Sequence, residues 1–214
     1  MRAVHGVERL RVALAEQQAS LPALVAAAWA HVLHQWTGAA APVFLLHHAA
    51  RSVPIEHAAD RAIPCLNLLP TVVPLASSLT ATAQHMTAVI AARVPLEQAS
   101  LEQIFDAIGR PAAPLCNTAL NVLRGAHAGR APSALQPRQA LTQPRLARAQ
   151  RMVPSSSFDA WPGAQFVAPS LVHVDVCVEA DDTLSLALRC PAAVLGGDEA
   201  KAVLAALADV LRIP

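Results

Sequence analysis

The sequence predicts an α/β sandwich in which helices pack on a mixed β-sheet. Along the 214 residues, the predicted order is helix, helix, strand, strand, helix, helix, strand, long loop, strand, strand, helix. Hydrophobic residues make up 54% of the chain and charged residues 14%, which is a globular composition. A chain of this size can bury a core of its own.

Two helices open the chain. A stripe of apolar residues from Val7 to Gln18 predicts the first, and Val4 continues that stripe one turn earlier. Ser20 is the predicted N-cap of the second helix, which runs to about Trp36. Gly38 suits the left-handed residue that ends such a helix, and the many alanines between these limits predict close packing on several sides.

Two strands are predicted next. Val43 to His48 is the first, and its adjacent His47 and His48 point to opposite faces, which argues against one metal site shared by both. The apolar run Pro64 to Pro74 predicts a strand buried on both faces or a crossing segment, in which the prolines leave about six residues for pairing. Asn67 is the exception to the apolar pattern of this run. If buried, its amide must find partners that fix a loop or line a cavity.

Capping residues place the next helices. Ser77 or Ser78 caps a helix from Leu79 to Ala92, and Ser100 caps a shorter one from Leu101 to Ile108. A strand follows from 115 to 123, and it contains Asn121. Residues 124–165 then form a basic, proline-rich insertion, with six arginines and no acidic residue from 124 to 157. It is either a flexible surface loop or a basic contact for an acidic partner.

The final hairpin has a predicted register. A two-residue turn at residues 181–182 would pair the leucines of its second strand with the charged face of its first. A three-residue loop, 180–182, instead pairs valines with leucines and sets His173 against Arg189 and Cys177 against Ser185. The hydrophobic pattern therefore favours the three-residue loop. A helix from Gly197 or Asp198 to about 211 ends the chain.

Composition excludes several function classes. The net charge of +1 and the 3% of aromatic residues argue against a nucleic-acid partner. No apolar run approaches the roughly 18 residues of a membrane span, so a soluble, cytoplasmic protein is expected. The four cysteines are scattered without a CxxC pair, which predicts neither a metal site nor disulfides but buried, small apolar residues.

Several segments match a known family in their order along the chain. They are Leu21 to Ala30 with Thr37-Gly38, Arg51, Pro64 to Pro70, Ser100 to Ile104, Pro114-Leu115 with Asn121, and His173 to Cys190 with the last helix. Together they resemble the C-terminal half of nonribosomal peptide synthetase condensation domains of the fungal type. Outside the basic insertion, the resemblance covers nearly the whole chain as a single C-terminal subdomain, residues 1–214.

The resemblance implies one half of a chloramphenicol acetyltransferase-like, CoA-dependent acyltransferase fold. Two such halves enclose a tunnel, in which an amine on one carrier domain attacks a thioester on another to form an amide bond. The phosphopantetheine arms of the carrier domains enter from opposite ends, and no cofactor is expected on this chain itself. Arg51, Asn67 and Asn121 are the residues that the resemblance places at the tunnel or in its structural support.

The reaction's histidine in that family lies in an HHxxxDG motif of the N-terminal half. Here His47-His48 is followed by Ala49 to Val53 without Asp-Gly, so no catalytic residue is assigned to this chain. Further departures are Ala50 and Ile63 for glycines, Val72 for an arginine, and Gln98 near the position of a histidine.

Three hypotheses follow. The chain is half a condensation domain that needs an N-terminal half and is inactive alone. Alternatively, it is a non-catalytic module that keeps the fold to dock carrier domains. A third hypothesis, an independent acyltransferase using His47 or His48, requires an imidazole positioned in a closed site.

Overall fold

A computed structural model describes residues 2–50, 66–109, 117–124, 172–179 and 181–212. The strands are β1 (Arg2–His5), β2 (Val43–His48), β3 (Asn67–Val72), β4 (Thr118–Arg124), β5 (Val172–Val178) and β6 (Thr183–Arg189). The helices are α1 (Val7–Glu16), α2 (Leu21–Thr37), α3 (Leu79–Ala92), α4 (Leu101–Ile108) and α5 (Gly197–Leu211), with a short 3-10 helix at Val94–Leu96.

The six strands form one mixed sheet in the order β1-β6-β5-β4-β2-β3. Strand β4 pairs in parallel with both β2 and β5, and the other neighbouring strands pair antiparallel. The predicted mixed-sheet α/β sandwich is therefore confirmed. We call the face of the sheet that packs against α2 the helix face. The opposite face, which bears Asn121, His173 and Asp175, is called the polar face.

The helix face packs against α2, which is the centre of the core. Every residue of α2 from Ala23 to Ala30 is fully buried, including the large side chain of Trp29. Helix α2 contacts α1, α3, α5 and β4, so the predicted packing on several sides is confirmed. In the last turn of α2, Trp36 is 45% exposed, because the chain has left the core there.

Local capping signals were predicted correctly. The hydroxyls of Ser20, Ser78 and Ser100 each accept a backbone N–H in the first turn of α2, α3 and α4. Gly38 and Gly109 end α2 and α4 with φ of 70° and 62°, a left-handed conformation that costs glycine little.

The first residues were predicted wrongly. Val4 does not continue a helix, because residues 2–5 form strand β1 along β6. Val4 is nevertheless buried, and Gly6, with φ of 84°, turns the chain from strand to helix. Asp182 in the β5–β6 loop accepts the backbone N–H of Glu8 on Oδ1 at 2.7 Å, so a distant loop caps α1.

Strand β3 differs from the double-sided burial that its apolar run predicts. It lies at an edge of the sheet and pairs only with β2 among the described strands. Leu66 before it and Val72 at its end are 61% and 48% exposed. The predicted limit of six paired residues is confirmed, and Pro70 fits an edge strand because proline has no N–H for a second neighbour.

The hairpin register is as predicted. His173 pairs with Arg189 and Cys177 with Ser185, on the face opposite the valines and leucines. The cysteines were predicted to be buried, but Cys177 and Cys190 are free and half-buried, and the other two lie outside the described residues. Of the 124–165 insertion only Arg124, at the end of β4, is among the described residues.

Candidate functional site

Polar side chains from four adjacent strands meet on the polar face. Asn121 of β4 pairs with Asp175 of β5, and His173 pairs with Arg189 of β6, so these four share one face. His47 lies on the same face, because Leu45, two residues earlier, pairs with Ala119, which in turn pairs with His173. We call these five residues, His47, Asn121, His173, Asp175 and Arg189, the polar-face cluster.

Asp175 is the centre of the polar-face cluster. Its Oδ2 accepts a hydrogen bond from Arg189 Nη2 at 2.5 Å, and its Oδ1 accepts one from Asn121 Nδ2 at 3.2 Å. His173 Nε2 lies 3.4 Å from the same Oδ1, an ion-pair distance without hydrogen-bond geometry. The carboxylate is therefore balanced by a guanidinium and held from two sides.

The two histidines of the cluster touch each other. Their ring centroids are 4.9 Å apart and the rings are tilted by 50°. The strands that bear them are not neighbours, since β4 runs between them, and the small side chain of Ala119 leaves room for the contact. Ala119 is completely buried there.

Burial lowers the pKa of both imidazoles. It lowers the pKa of His47 to about 4, aided by the neighbouring His173 ring and opposed by the Asp175 carboxylate. Burial also lowers the pKa of His173, again against Asp175. Among the described residues, His47 Nδ1, His47 Nε2 and His173 Nε2 are closed to solvent and have no hydrogen-bond partner.

His48 belongs to a different environment. It points to the opposite face, as the strand alternation predicts, and its Nδ1 lies 3.4 Å from Glu97 Oε1. The side chain of His48 is only 4% exposed. Burial lowers the pKa of His48, and the hydrogen bond to Glu97 opposes that effect. His47 and His48 therefore do not form one site.

Asn67 holds a turn. Its Nδ2 donates to the carbonyl oxygens of Glu97 and Ala99, both at 2.8 Å, and so anchors the segment between the 3-10 helix and α4. Asn67 is half-buried, and its amide is engaged with backbone carbonyls of this loop. Its assignment to the tunnel or to structural support stays a prediction.

A second contact ties the same segment to the end of β2. Gln98 Nε2 donates to the carbonyl oxygen of Ala50 at 2.8 Å. Ala50 is buried and has a φ of 47°, in the left-handed region that favours glycine. Ala50 stands where the resemblance expects a glycine, and its φ is one that glycine adopts at little cost.

Of the three residues assigned from the sequence, the two that the structure describes are not brought together. Arg51 lies outside the described residues. Asn67 is at the edge strand on the helix face, whereas Asn121 is in the polar-face cluster. Sequence reasoning did not assign His173, Asp175 and Arg189 to a site, although the predicted register had already placed all three on one face.

Other sites are limited in the described part of the chain. In it, no three His, Cys, Asp or Glu side chains are grouped so that they can hold a metal ion. A cleft of about 370 Å³ lies beside α1, α2 and the ends of β4 and β5. Its lining is mostly apolar, and its Arg11 already pairs with Glu8 at 2.7 Å. No helix within the described residues is long and apolar enough to cross a bilayer.

Comparison with known proteins agrees with the fold. No family model matches the chain. The nonribosomal peptide synthetase fso1 of Omphalotus olearius is 25% identical over 206 residues, which is 88% of this chain. Nonribosomal peptide synthetase NPS2 of Ceriporiopsis subvermispora (strain B) is 35% identical over 102 residues, 46% of this chain. In both cases the match covers 4% of the relative's length.

Solved condensation domains share the architecture. The first condensation domain of the CDA synthetase aligns with 100% of this chain at a TM-score of 0.64 and 14% identity. The chain therefore has a condensation-domain-like fold. The condensation domain of the monacolin K polyketide synthase MokA aligns with 98% of it at a TM-score of 0.65 and 12% identity.

An acyltransferase shows the same fold. PapA2 acyl transferase aligns with 99% of this condensation-domain-like chain at a TM-score of 0.62 and 15% identity. The chain spans only 44 to 45% of the length of these three structures. It therefore corresponds to less than half of each, and its fold, a CoA-dependent acyltransferase-like α/β sandwich, is that of one part of them.

Proposed function

We propose that this chain forms the C-terminal half of a condensation domain, where it provides one wall of the tunnel for amide-bond formation between carrier-bound thioesters. One observation carries the proposal: condensation domains align with 98 to 100% of this chain, yet the chain spans 45% of each of them. The order of the segments that resemble the family supports the C-terminal assignment. The sequence similarity to nonribosomal peptide synthetases supports the reaction class.

The reaction's histidine comes from an N-terminal half that bears the HHxxxDG motif. The chain's own His47-His48 is no substitute, because the two side chains point to opposite faces. His48 is almost fully buried against Glu97, and the low pKa of His47, about 4, makes it a poor proton acceptor. An independent acyltransferase that uses either residue is therefore disfavoured, and we expect the chain alone to be inactive.

The partners that follow from this function are the N-terminal half and two carrier domains. The carrier domains bring their phosphopantetheine arms, and this chain holds no cofactor of its own. The setting is the intracellular synthesis of peptide-type secondary metabolites. No nucleic acid and no membrane take part in such a reaction.

The test is reconstitution. The chain is mixed with a fungal N-terminal half that bears HHxxxDG and with donor and acceptor carrier domains loaded with aminoacyl thioesters. Dipeptidyl thioester is then measured by mass spectrometry. We expect product only when both halves are present, and none when the second histidine of HHxxxDG is replaced by alanine. The controls are each half alone and the carrier domains alone.

Two outcomes would overturn the proposal. Product from this chain alone, lost on His47→Ala or His48→Ala, would establish the independent acyltransferase. The second outcome is that carrier domains bind, but no N-terminal half associates with the chain or gives product. That result would favour the non-catalytic docking module.

A further inference from the structure

Among the described residues, the polar-face cluster leaves both ring nitrogens of His47 without a partner, and His173 Nε2 lies 3.4 Å from Asp175 Oδ1 without hydrogen-bond geometry. Within the described part of the chain, His47 Nδ1, His47 Nε2 and His173 Nε2 are closed to solvent and make no hydrogen bond. Burying such a group without a partner costs about 1–3 kcal/mol, and native structures rarely keep several in one place without a reason. Both rings belong to strands of a sheet, which fixes the backbone that bears them.

The charge of the cluster selects the kind of ligand. Asp175 is paired with Arg189 at 2.5 Å, so the two charges cancel, and Asn121 completes the shell of the carboxylate. Burial lowers the pKa of both imidazoles and so favours their neutral forms. A charged ligand group would lose its hydration here without gaining an opposite charge.

A neutral imidazole has one N–H donor and one bare nitrogen that accepts. A ligand that satisfies a pair of them must therefore offer both an acceptor and a donor. A secondary amide does so through its C=O and N–H, whereas an ester or thioester carbonyl can only accept. The contact between the two rings places donor and acceptor within one small site.

We infer that the His47–His173 pair binds a secondary amide of the carrier-borne substrate. The inference rests on the proposed function, in which such amides come from two sources, the pantetheine arm and the peptide bonds of the acyl chain. Because the ring nitrogens are closed to solvent, an imidazole must rotate to admit the ligand. Association should therefore be slower than for a preformed, open site.

The experiment uses the full chain with ¹⁵N-labelled histidine. Two probes are titrated separately: S-acetylpantetheine, and N-acetylalanine N-methylamide as a peptide mimic. We expect the ring ¹⁵N signals of His47 and His173 to shift saturably with one of them, and to keep the frequencies of neutral imidazole. The probe that acts identifies the source of the amide. An analogue of that probe with ester linkages in place of its amides should bind at least tenfold more weakly.

A matched pair of variants tests the residues. His47→Phe keeps a ring of similar shape without nitrogens and should weaken binding at least tenfold. His85→Phe makes the same change at an exposed position of α3 and should leave the affinity unchanged. If His47→Phe fails to fold, the comparison of amide and ester probes on the native chain still decides the question.

The inference is overturned if neither probe shifts the two rings, if ester and amide probes bind equally, or if the rings hold only a long-lived water that neither probe displaces. These results are independent of reconstitution. Probe binding without product in the presence of any N-terminal half would leave the amide site standing while the proposed function fails. Product without probe binding would support the proposed function and overturn the amide site.

Discussion

The rings of His47 and His173 are in contact, with centroids 4.9 Å apart, although strand β4 separates the strands that bear them. Ala119, fully buried on β4 beside His173, is the residue over which they meet. A larger side chain at that position would occupy the space that the two rings share. The contact between the two rings therefore depends on β2, β4 and β5 together.

Ala119→Leu should destabilise the chain. The added atoms enter a closed position between the rings, and overpacking of this kind costs about 1–3 kcal/mol. Urea unfolding followed by circular dichroism measures the loss as a lower midpoint. Ala92→Leu, at an exposed position of α3, is the control and should leave the midpoint nearly unchanged. Equal midpoints for the two variants would show that the space around Ala119 is open.

Stability should fall as the solution becomes acidic. His47 has a folded-state pKa of about 4 against 6.5 for the free group, so between these values the unfolded chain binds a proton that the folded chain does not. The stability that depends on neutral His47 is thus fully present above about pH 6.5, and it declines as the pH falls toward 4. The lowered pKa values of His31, His48 and His173 act in the same direction.

The measurement is the urea midpoint between pH 7.5 and 4.5. In His47→Phe, the decline toward acid should be shallower, because one buried titrating group has been removed. His85→Phe makes the same substitution at an exposed position of α3 and is the matched control. Identical slopes in native protein and His47→Phe would mean that His47 titrates in the folded chain as it does in water.

Asn67→Leu should cost about 1–3 kcal/mol, because it leaves the carbonyl oxygens of Glu97 and Ala99 without their donor. Hydrogen exchange should also speed up in the segment before α4, which that amide anchors. Asn117→Leu makes the same substitution at an exposed position and serves as the control. An unchanged midpoint for Asn67→Leu would show that water replaces the amide at no cost.

Gln18→Gly should stabilise the chain by about 1 kcal/mol. Gln18 follows α1 with a φ of 54°, a conformation in which an L side chain is strained, and its side chain is exposed. Gln17→Gly, one residue earlier at a φ of −93°, should instead destabilise, because there glycine only adds freedom to the unfolded chain. The difference between the two unfolding midpoints is the test, and a lower midpoint for Gln18→Gly would contradict it.

The amino-acid sequence by itself determined the local features of this fold. Serine caps, glycine stops and the hydrophobic register of the last hairpin depend on residues close together in the chain, so Ser20, Gly38 and the pairing of His173 with Arg189 were predictable. The opposite orientation of His47 and His48 follows from strand alternation in the same way. The resemblance to condensation domains also came from segments in sequence order.

Only the tertiary structure decided the order of the strands. Pairing energies depend on contacts between residues far apart in sequence, and a short apolar run has the same pattern at an edge as at the centre of a sheet. For that reason β1 was missed, and one of the two interpretations of the β3 run, a strand buried on both faces, was wrong. The insertion of β4 between β2 and β5 brought His47 to His173, Asp175 and Asn121, a meeting that no spacing along the chain encodes.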